Sequence, residues 1–301
     1  MKAYVVLATK GRPADIPVIL SHMERQTLPP SHVVVVGTEE YDFGSARDVK
    51  IDTFDVSFMI SSKPGLPIQR NVGVNKVLSF HPKGNDFFIA YFDDDFRPKD
   101  DWLEFAQKAF LEQDIVGMTG WVLADGINGP GISEEVAIEY LEGRLEPMAH
   151  SSKQRIGQEL DSAYGCNMAF NGTVSRLYRF DERLPAYGWQ EDRDYTGQAN
   201  VVGKVLGIGE CQGVHLGTKN GRVSGVKFGY SQIANPVFLA RKGTMKWRAS
   251  LKMIMNNIIA NHVKTLKPES WVDRKGRAKG NWIALIDCVK GEIHPERIYF
   301  L

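Results

Sequence analysis

The chain has 301 residues, 43% of them hydrophobic and 24% charged, and a formal net charge of +1. That composition excludes a disordered, collagen-like or disulfide-scaffold protein, and the length suits one large domain or a domain with an extension. The near-neutral total hides an asymmetry: residues 1–240 carry 24 basic against 31 acidic residues, a net of −7, whereas residues 241–279 carry 11 against 2, a net of +9.

The N-terminus, MKAYVVLATKGR, has only six consecutive apolar residues, too few for a secretory signal. No apolar run approaches the roughly 18 residues that span a bilayer, so the expected location is cytoplasmic. AYVVLAT and HVVVVG are continuous, β-branched apolar runs of the kind found in a parallel sheet covered on both faces. Between them IPVILSHMERQ predicts a helix through Ile16, Ile19, Leu20 and Met23. GLPIQRNVGVNKVLSF predicts a turn and a helix with Ile68, Val72, Asn75 and Leu78 along one side, leading into the strand DFFIAYF. The first hundred residues therefore read as an α/β unit of the doubly wound type. Ligands of such sheets collect beyond the carboxyl ends of the strands, where Thr9 to Arg12, Gly37 and Asp93 to Asp95 fall.

Asp93, Asp94 and Asp95 stand together at the end of an apolar run. Neighbouring unit charges there repel by about 4 kcal/mol at an effective dielectric near 20, so compensation is required. A divalent metal with hard oxygen ligands would supply it; a solvated acidic turn before a helix is equally compatible with these residues. Arg97-Pro98 predicts a chain turn, and Asp101 with Glu104 a capping box for a helix that turns Trp102, Ala106, Ala109 and Phe110 inward.

DIVGMTGWVLA predicts a strand, residues 133–143 a short helix, SAYGCNMAFNG a strand or loop-strand unit, QEDRDYTGQANVVG a helix, and VVGKVLGIGECQGVHLG a strand ending near His215. In LPAYGWQEDRDY, Glu191, Asp192 and Asp194 open the helix after Tyr187 and Trp189. Acidic capping accounts for such carboxylates, but aromatic faces beside them also suit sugar rings, with a carboxylate as general base toward a hydroxyl. His215 is either a structural histidine or a neutral imidazole ligand. GTKNGRVSGVKFG predicts a glycine-rich loop able to meet anions through Lys219, Arg222 and Lys227. Beyond it, Trp247, Leu251, Ile254, Ile258 and His262 follow helical spacing with Lys246, Arg248 and Lys252 beside them, an amphipathic helix with a basic flank. Cys166, Cys211 and Cys288 have neither metal-ligand spacing nor a disulfide framework, and no role is assigned to them.

Taken in order, VVLATKGRP, GLPIQRNVG, YFDDDFRP, GCNMAFNG, FDERLPAYGWQEDRDY and GVHLG resemble the successive motifs of family-2 glycosyltransferases, inverting enzymes of the GT-A fold that use nucleotide-activated sugars. The six span roughly residues 4 to 217, and the tail DRKGRAKGNWIALIDCVKGEIHPERI resembles C-terminal extensions of bacterial members that build surface polysaccharides. The resemblance implies a Rossmann-like mixed sheet flanked by helices over residues 1–225 and a basic, mainly helical extension over 226–301. It implies that Asp93 and Asp94 face ribose and diphosphate, and that Asp95, with Asp93 and His215, holds Mn²⁺ or Mg²⁺. Thr9, Arg12 and Arg70 would line the nucleotide and Asn167 the donor sugar. Asp192 would be the catalytic base, with Glu191 positioning the acceptor or taking that role, and Trp189 and Tyr187 would lie at the acceptor. Lys219, Arg222 and Lys227 would meet the diphosphate. After the second strand, where many members carry an acidic residue that reads the base, this chain has Val36-Gly37-Thr38, so the base is left open.

The implied partners are a nucleotide-diphosphate sugar and a glycan or lipid-linked acceptor, not nucleic acid. Residues 241–279 suit an anionic membrane surface, placing the protein peripherally on the inner face, or a homodimer contact, or a cap packed on the domain. Two rival functions are a sugar-nucleotide or glycan-binding module without turnover, and metal-dependent phosphoryl or nucleotidyl transfer. The latter lacks a phosphate loop and has Thr9-Lys10 where an aspartyl nucleophile would follow the first strand.

Overall fold

A computed structural model describes residues 1–81, 83–148, 155–219 and 224–301. Its centre is a mixed sheet of eight strands: β1 (Lys2–Ala8), β2 (His32–Gly37), β3 (Asp55–Ile60), β4 (Phe87–Asp93), β5 (Phe96–Pro98), β6 (Gly117–Asp125), β7 (Asn167–Asn171) and β8 (Val205–His215), in the order β3-β2-β1-β4-β7-β6-β8-β5. β3, β2, β1 and β4 run parallel, β7 is antiparallel to both β4 and β6, β6 and β8 are parallel, and β5 closes the edge antiparallel to β8.

The two-residue period of the strands sorts the apolar runs onto two faces. Val5, Leu7, Val33, Val35, Phe88 and Phe92 pack with helices α1 (Asp15–Glu24) and α3 (Trp102–Glu112). Tyr4, Val6, Val34, Val36, Ile89 and Tyr91 pack on the other face with α2 (Leu66–Phe80), α5 (Gly172–Leu177) and α6 (Glu191–Ala199). A short helix, α4 (Glu134–Leu141), lies over β6 and β8. Fully burying each such aliphatic or aromatic side chain stabilises by about 1.5–3 kcal/mol, which is why unbroken apolar runs become central strands. The last three helices, α7 (Gly225–Lys242), α8 (Trp247–Lys264) and α9 (Arg274–Lys290), share a separate core around Tyr230, Ile233, Ile254 and Ala284.

Several sequence expectations are corrected. Arg97-Pro98 is not a turn but part of edge strand β5, a place where proline's missing donor costs no ladder bond. Asp101 makes no side-chain cap, and Glu104 accepts from the Thr27 hydroxyl instead of closing a capping box. Helix α2 does not bury the stripe at 68, 72, 75 and 78: it turns Arg70, Gly73, Val74 and Val77 to the sheet and leaves Asn75 exposed. Gly73 explains the choice, since a Cβ there would stand 2.4 Å from Val6 Cγ1, so only glycine lets the helix approach β1 so closely. The predicted glycine loop ends earlier than expected, because α7 begins at Gly225, capped by the Ser224 hydroxyl, and Lys227 belongs to its first turn. In α8 the expected single apolar stripe divides: Ile254 turns inward, whereas Trp247 and Leu251 are exposed.

Candidate active site

The sheet's register assembles the site. Asp93 ends β4 beside Ala8 of β1. At the far edge β5 sets Phe96 opposite His215, and the parallel β6–β8 pairing sets Asp125 opposite the same histidine. The chain therefore delivers three successive aspartates to a point where three other strands, β1, β6 and β8, end.

Each aspartate has its own environment. Asp94 is buried; it accepts from the Thr9 hydroxyl at 2.8 Å and from Arg12 Nη1 at 2.7 Å. Asp95, also buried, accepts from the Thr218 backbone at 2.7 Å, and its carboxylate lies 3.3 Å from Arg12 and 3.4 Å from His215 Nε2. Burial raises the Asp94 pKa, an effect Arg12 offsets and the Asp95 charge reinforces. Burial acts the same way on Asp95, but His215, Arg12 and the Thr218 amide outweigh it and hold its carboxyl below the usual range. Asp93 is the least covered of the three and pairs with Arg70 at 3.0 Å. The repulsion expected of three adjacent carboxylates is thus met by cations on two sides.

His215 is fixed through its other nitrogen, Nδ1, 2.9 Å from Asp125 Oδ1, while the Tyr164 hydroxyl donates to Asp125 Oδ2 at 2.8 Å. Burial lowers the imidazole pKa, but the hydrogen bonds and charges of Asp125 and Asp95 prevail and push it up to about 10. One ligand atom each from Asp93, Asp95 and His215 lie within 4.8 Å of one another. Two carboxylates and, once an ion displaces the Nε2 proton, an imidazole are a donor set that divalent Mn²⁺ or Mg²⁺ accepts, and the residues present fit such an ion.

The second acidic pair joins the first through Arg70. Its buried guanidinium donates to Glu191 Oε1, to Asp93 Oδ1 and, at 2.7 Å, to the Gly165 carbonyl. The Gly165 amide in turn donates to Asp192 Oδ2 at 3.0 Å. Burial raises the Glu191 pKa against the pull of Arg70. Glu191 Oε2 is buried with no hydrogen-bond partner among the described residues. The segment before this pair is bent into left-handed backbone at Ala186, Gly188 and Gln190. Gly188 has no alternative there, since a Cβ would meet Pro67 Cδ at 2.8 Å, and non-glycine residues in that region carry strain of about 1–3 kcal/mol each.

The remaining sequence candidates divide. Thr9, Arg12, Arg70, Asp93, Asp94, Asp95, His215, Glu191 and Asp192 converge as described. Tyr187 and Trp189 lie on the same segment, their rings 6.1 and 5.9 Å from that of Phe228 on α7. Lys219 donates to the Gly126 and Ile127 carbonyls. Lys227 sits on α7, and Arg222 lies outside the described residues. Asn167 is not brought to this group: it is fully buried, its Oδ1 taken by the Trp102 indole at 2.8 Å. Sequence reasoning missed Asp125 and Tyr164, and also Asp42, which accepts from the Gly11 and Thr38 amides and the Thr38 hydroxyl, tying together the turns after β1 and β2.

No family model and no curated protein matches the chain. Solved structures do. TarS from S. aureus in complex with UDP-GlcNAc is similar over 99% of this chain and 83% of its own, at 15% identity and a TM-score of 0.56. The mannosyltransferase PcManGT from Pyrobaculum calidifontis, in complex with GDP-Man and Mn²⁺, is similar over 99% and 85%, at 13% identity and a TM-score of 0.57. The chain has a GT-A-like glycosyltransferase fold. GalNAc-T7 with UDP, GalNAc and Mn²⁺ shares it over 99% of this chain and 56% of its own, at 12% identity and a TM-score of 0.56. At these identities the likeness is one of fold.

Proposed function

We propose that the protein is an inverting glycosyltransferase that moves a sugar from a nucleotide-diphosphate donor to a hydroxyl of a glycan or lipid-linked glycan, in bacterial surface polysaccharide synthesis. Residues 1–225 form the catalytic part in this reading and residues 226–301 an extension; the reaction belongs to the cytoplasm. The observation that carries it is the Arg70 bridge, which holds Asp93 of the metal-compatible group and Glu191 of the Glu191-Asp192 pair on one guanidinium. Nucleotide sugars bound to TarS and PcManGT, and Mn²⁺ in the latter and in GalNAc-T7, support the choice of substrate class and ion.

Asp93, Asp95 and His215 would hold the divalent ion, which would supply positive charge to offset that of the donor diphosphate. Asp125 and Tyr164 keep the imidazole turned toward Asp95. Thr9 and Arg12 fix Asp94 at the nucleotide side, with Lys219 and Lys227 offered to the diphosphate. The acceptor hydroxyl lies against Tyr187 and Trp189, with Glu191 positioning it. Asp192 takes its proton as the oxygen attacks the anomeric carbon from the face opposite the nucleotide; the C–O bond to the diphosphate breaks and the centre inverts.

A thermal-shift screen of nucleoside diphosphates and nucleotide sugars, with and without Mn²⁺, tests the donor half of this reading. One sugar nucleotide raising Tm only with the ion, and no ion-dependent rise in Asp95→Ala, is the expected pattern. Indifference to every donor in the wild-type protein contradicts it.

A further inference from the structure

Helix α8 is apolar on two sides. Its inward side carries Ile254 into the core of the last three helices, yet Trp247, Leu251, Met255 and Ile259, spaced four residues apart, form a second stripe that is exposed among the described residues. Helix α9 repeats the arrangement: Ala284 packs inward while Trp282 and Ile286 are exposed. Exposure along the two stripes runs from 49% at Trp247 to 59% at Leu251, far beyond what scattered surface apolar residues need. Trp282 meets His262 of α8 edge-on at 5.9 Å, so the two helices lie side by side there.

Charge decides what such a face can accept. Neither helix bears an exposed carboxylate: α8 has no Asp or Glu in its sequence, and the single one in α9, Asp287, is buried against the Tyr230 hydroxyl. Arg248, Lys252, Lys275, Lys279 and Lys290 are all exposed, and no salt bridge among the described residues involves them. Two copies of this chain meeting face to face would set +9 segments against each other, which opposes a symmetric dimer. An anionic bilayer surface satisfies both features, burying the stripes at the headgroup level while lysines and arginines reach phosphates. None of the described helices is long and apolar enough to cross a membrane, so contact would be along the surface.

We propose that the exposed stripes of α8 and α9 form a peripheral binding face for anionic phospholipid. The inference holds whatever reaction the sheet's carboxylates carry out, because the face and the site share no residue. The full-length protein is floated with vesicles of phosphatidylcholine alone or mixed with phosphatidylglycerol, at low and high salt. The same is done with Leu251→Glu/Met255→Glu/Ile259→Glu and with Lys252→Glu/Lys279→Glu, whose thermal melts report folding. Wild-type protein should float only with phosphatidylglycerol and lose binding in high salt; the charge variant should bind roughly fivefold more weakly for each lysine removed, and more again for the reversed sign. The apolar variant should stay unbound, and if it fails to fold the charge variant decides alone. Wild-type protein that does not float, that floats equally on phosphatidylcholine alone, or that floats as well after the charge reversal overturns the proposal. So does a dimer in sedimentation velocity that the apolar variant dissociates while no vesicle binds.

Discussion

The carboxyl end of the sheet and the outer face of α8 and α9 handle charge in opposite ways. At the sheet, carboxylates are taken out of water and each is met by a guanidinium, an imidazole or backbone amides, so that one cation, Arg70, serves three acceptors. On the helices, cations stay in water beside uncovered apolar side chains. Fixed, buried charge suits holding a ligand in one geometry; mobile, solvated charge suits a fluid surface whose phosphates have no fixed places. Substitution at the sheet should therefore hurt the fold, and substitution on the helices only binding.

Arg70→Met sharpens that contrast most. It strands Glu191 and Asp93 without their partner, and a buried pair broken from one side costs about 3–5 kcal/mol, to be read as a fall in urea midpoint at unchanged slope. Lys252→Glu, by comparison, should move the same midpoint by no more than about 0.5 kcal/mol. Next comes packing: Gly73→Ala pushes a Cβ against Val6 and should cost about 1–3 kcal/mol, where Ala substituted for an exposed residue of the α8 stripe should cost almost nothing.

A smaller effect separates paired from solvated charge by pH. Burial raises the Asp42 pKa, but hydrogen bonds from the Gly11, Thr38 and Glu39 amides and the Thr38 hydroxyl prevail, and the folded pKa lies below the ordinary value. Its contribution is therefore fully present above the unfolded pKa of about 3.9 and is lost as pH falls through the folded one. Tm measured from pH 6 downward should show a steeper acid limb in the wild-type protein than in Asp42→Asn. Parallel limbs would mean the carboxylate is not held as described.

Much of this arrangement was legible in the sequence, for identifiable reasons. Strands buried on both faces leave unbroken apolar runs, so β1, β2 and β4 announce themselves, and polar residues right after such runs mark the sheet's carboxyl end. That placed Thr9, Arg12 and Asp93 to Asp95. His215 followed because β8 ends at it. Asp125 was invisible because only the β6–β8 register brings it to the histidine, across 90 residues of chain. Asn167 shares a segment with Gly165, which meets Arg70, while its own Oδ1 is taken by the Trp102 indole. On α2 and α8 helical periodicity was real but offered two candidate faces, and close approach at Gly73 in one case, and packing against α7 in the other, selected between them.

In the proposed reaction Glu191-Asp192 receives an acceptor while Asp93 to Asp95, at the end of β4, receive a donor. Single-turnover sugar transfer by Asp192→Asn, using the donor that the thermal-shift screen selects, tests it most directly. A loss of transfer on the order of 10²–10⁴-fold is expected, with donor binding and its metal dependence nearly intact. Transfer at the wild-type rate would contradict it.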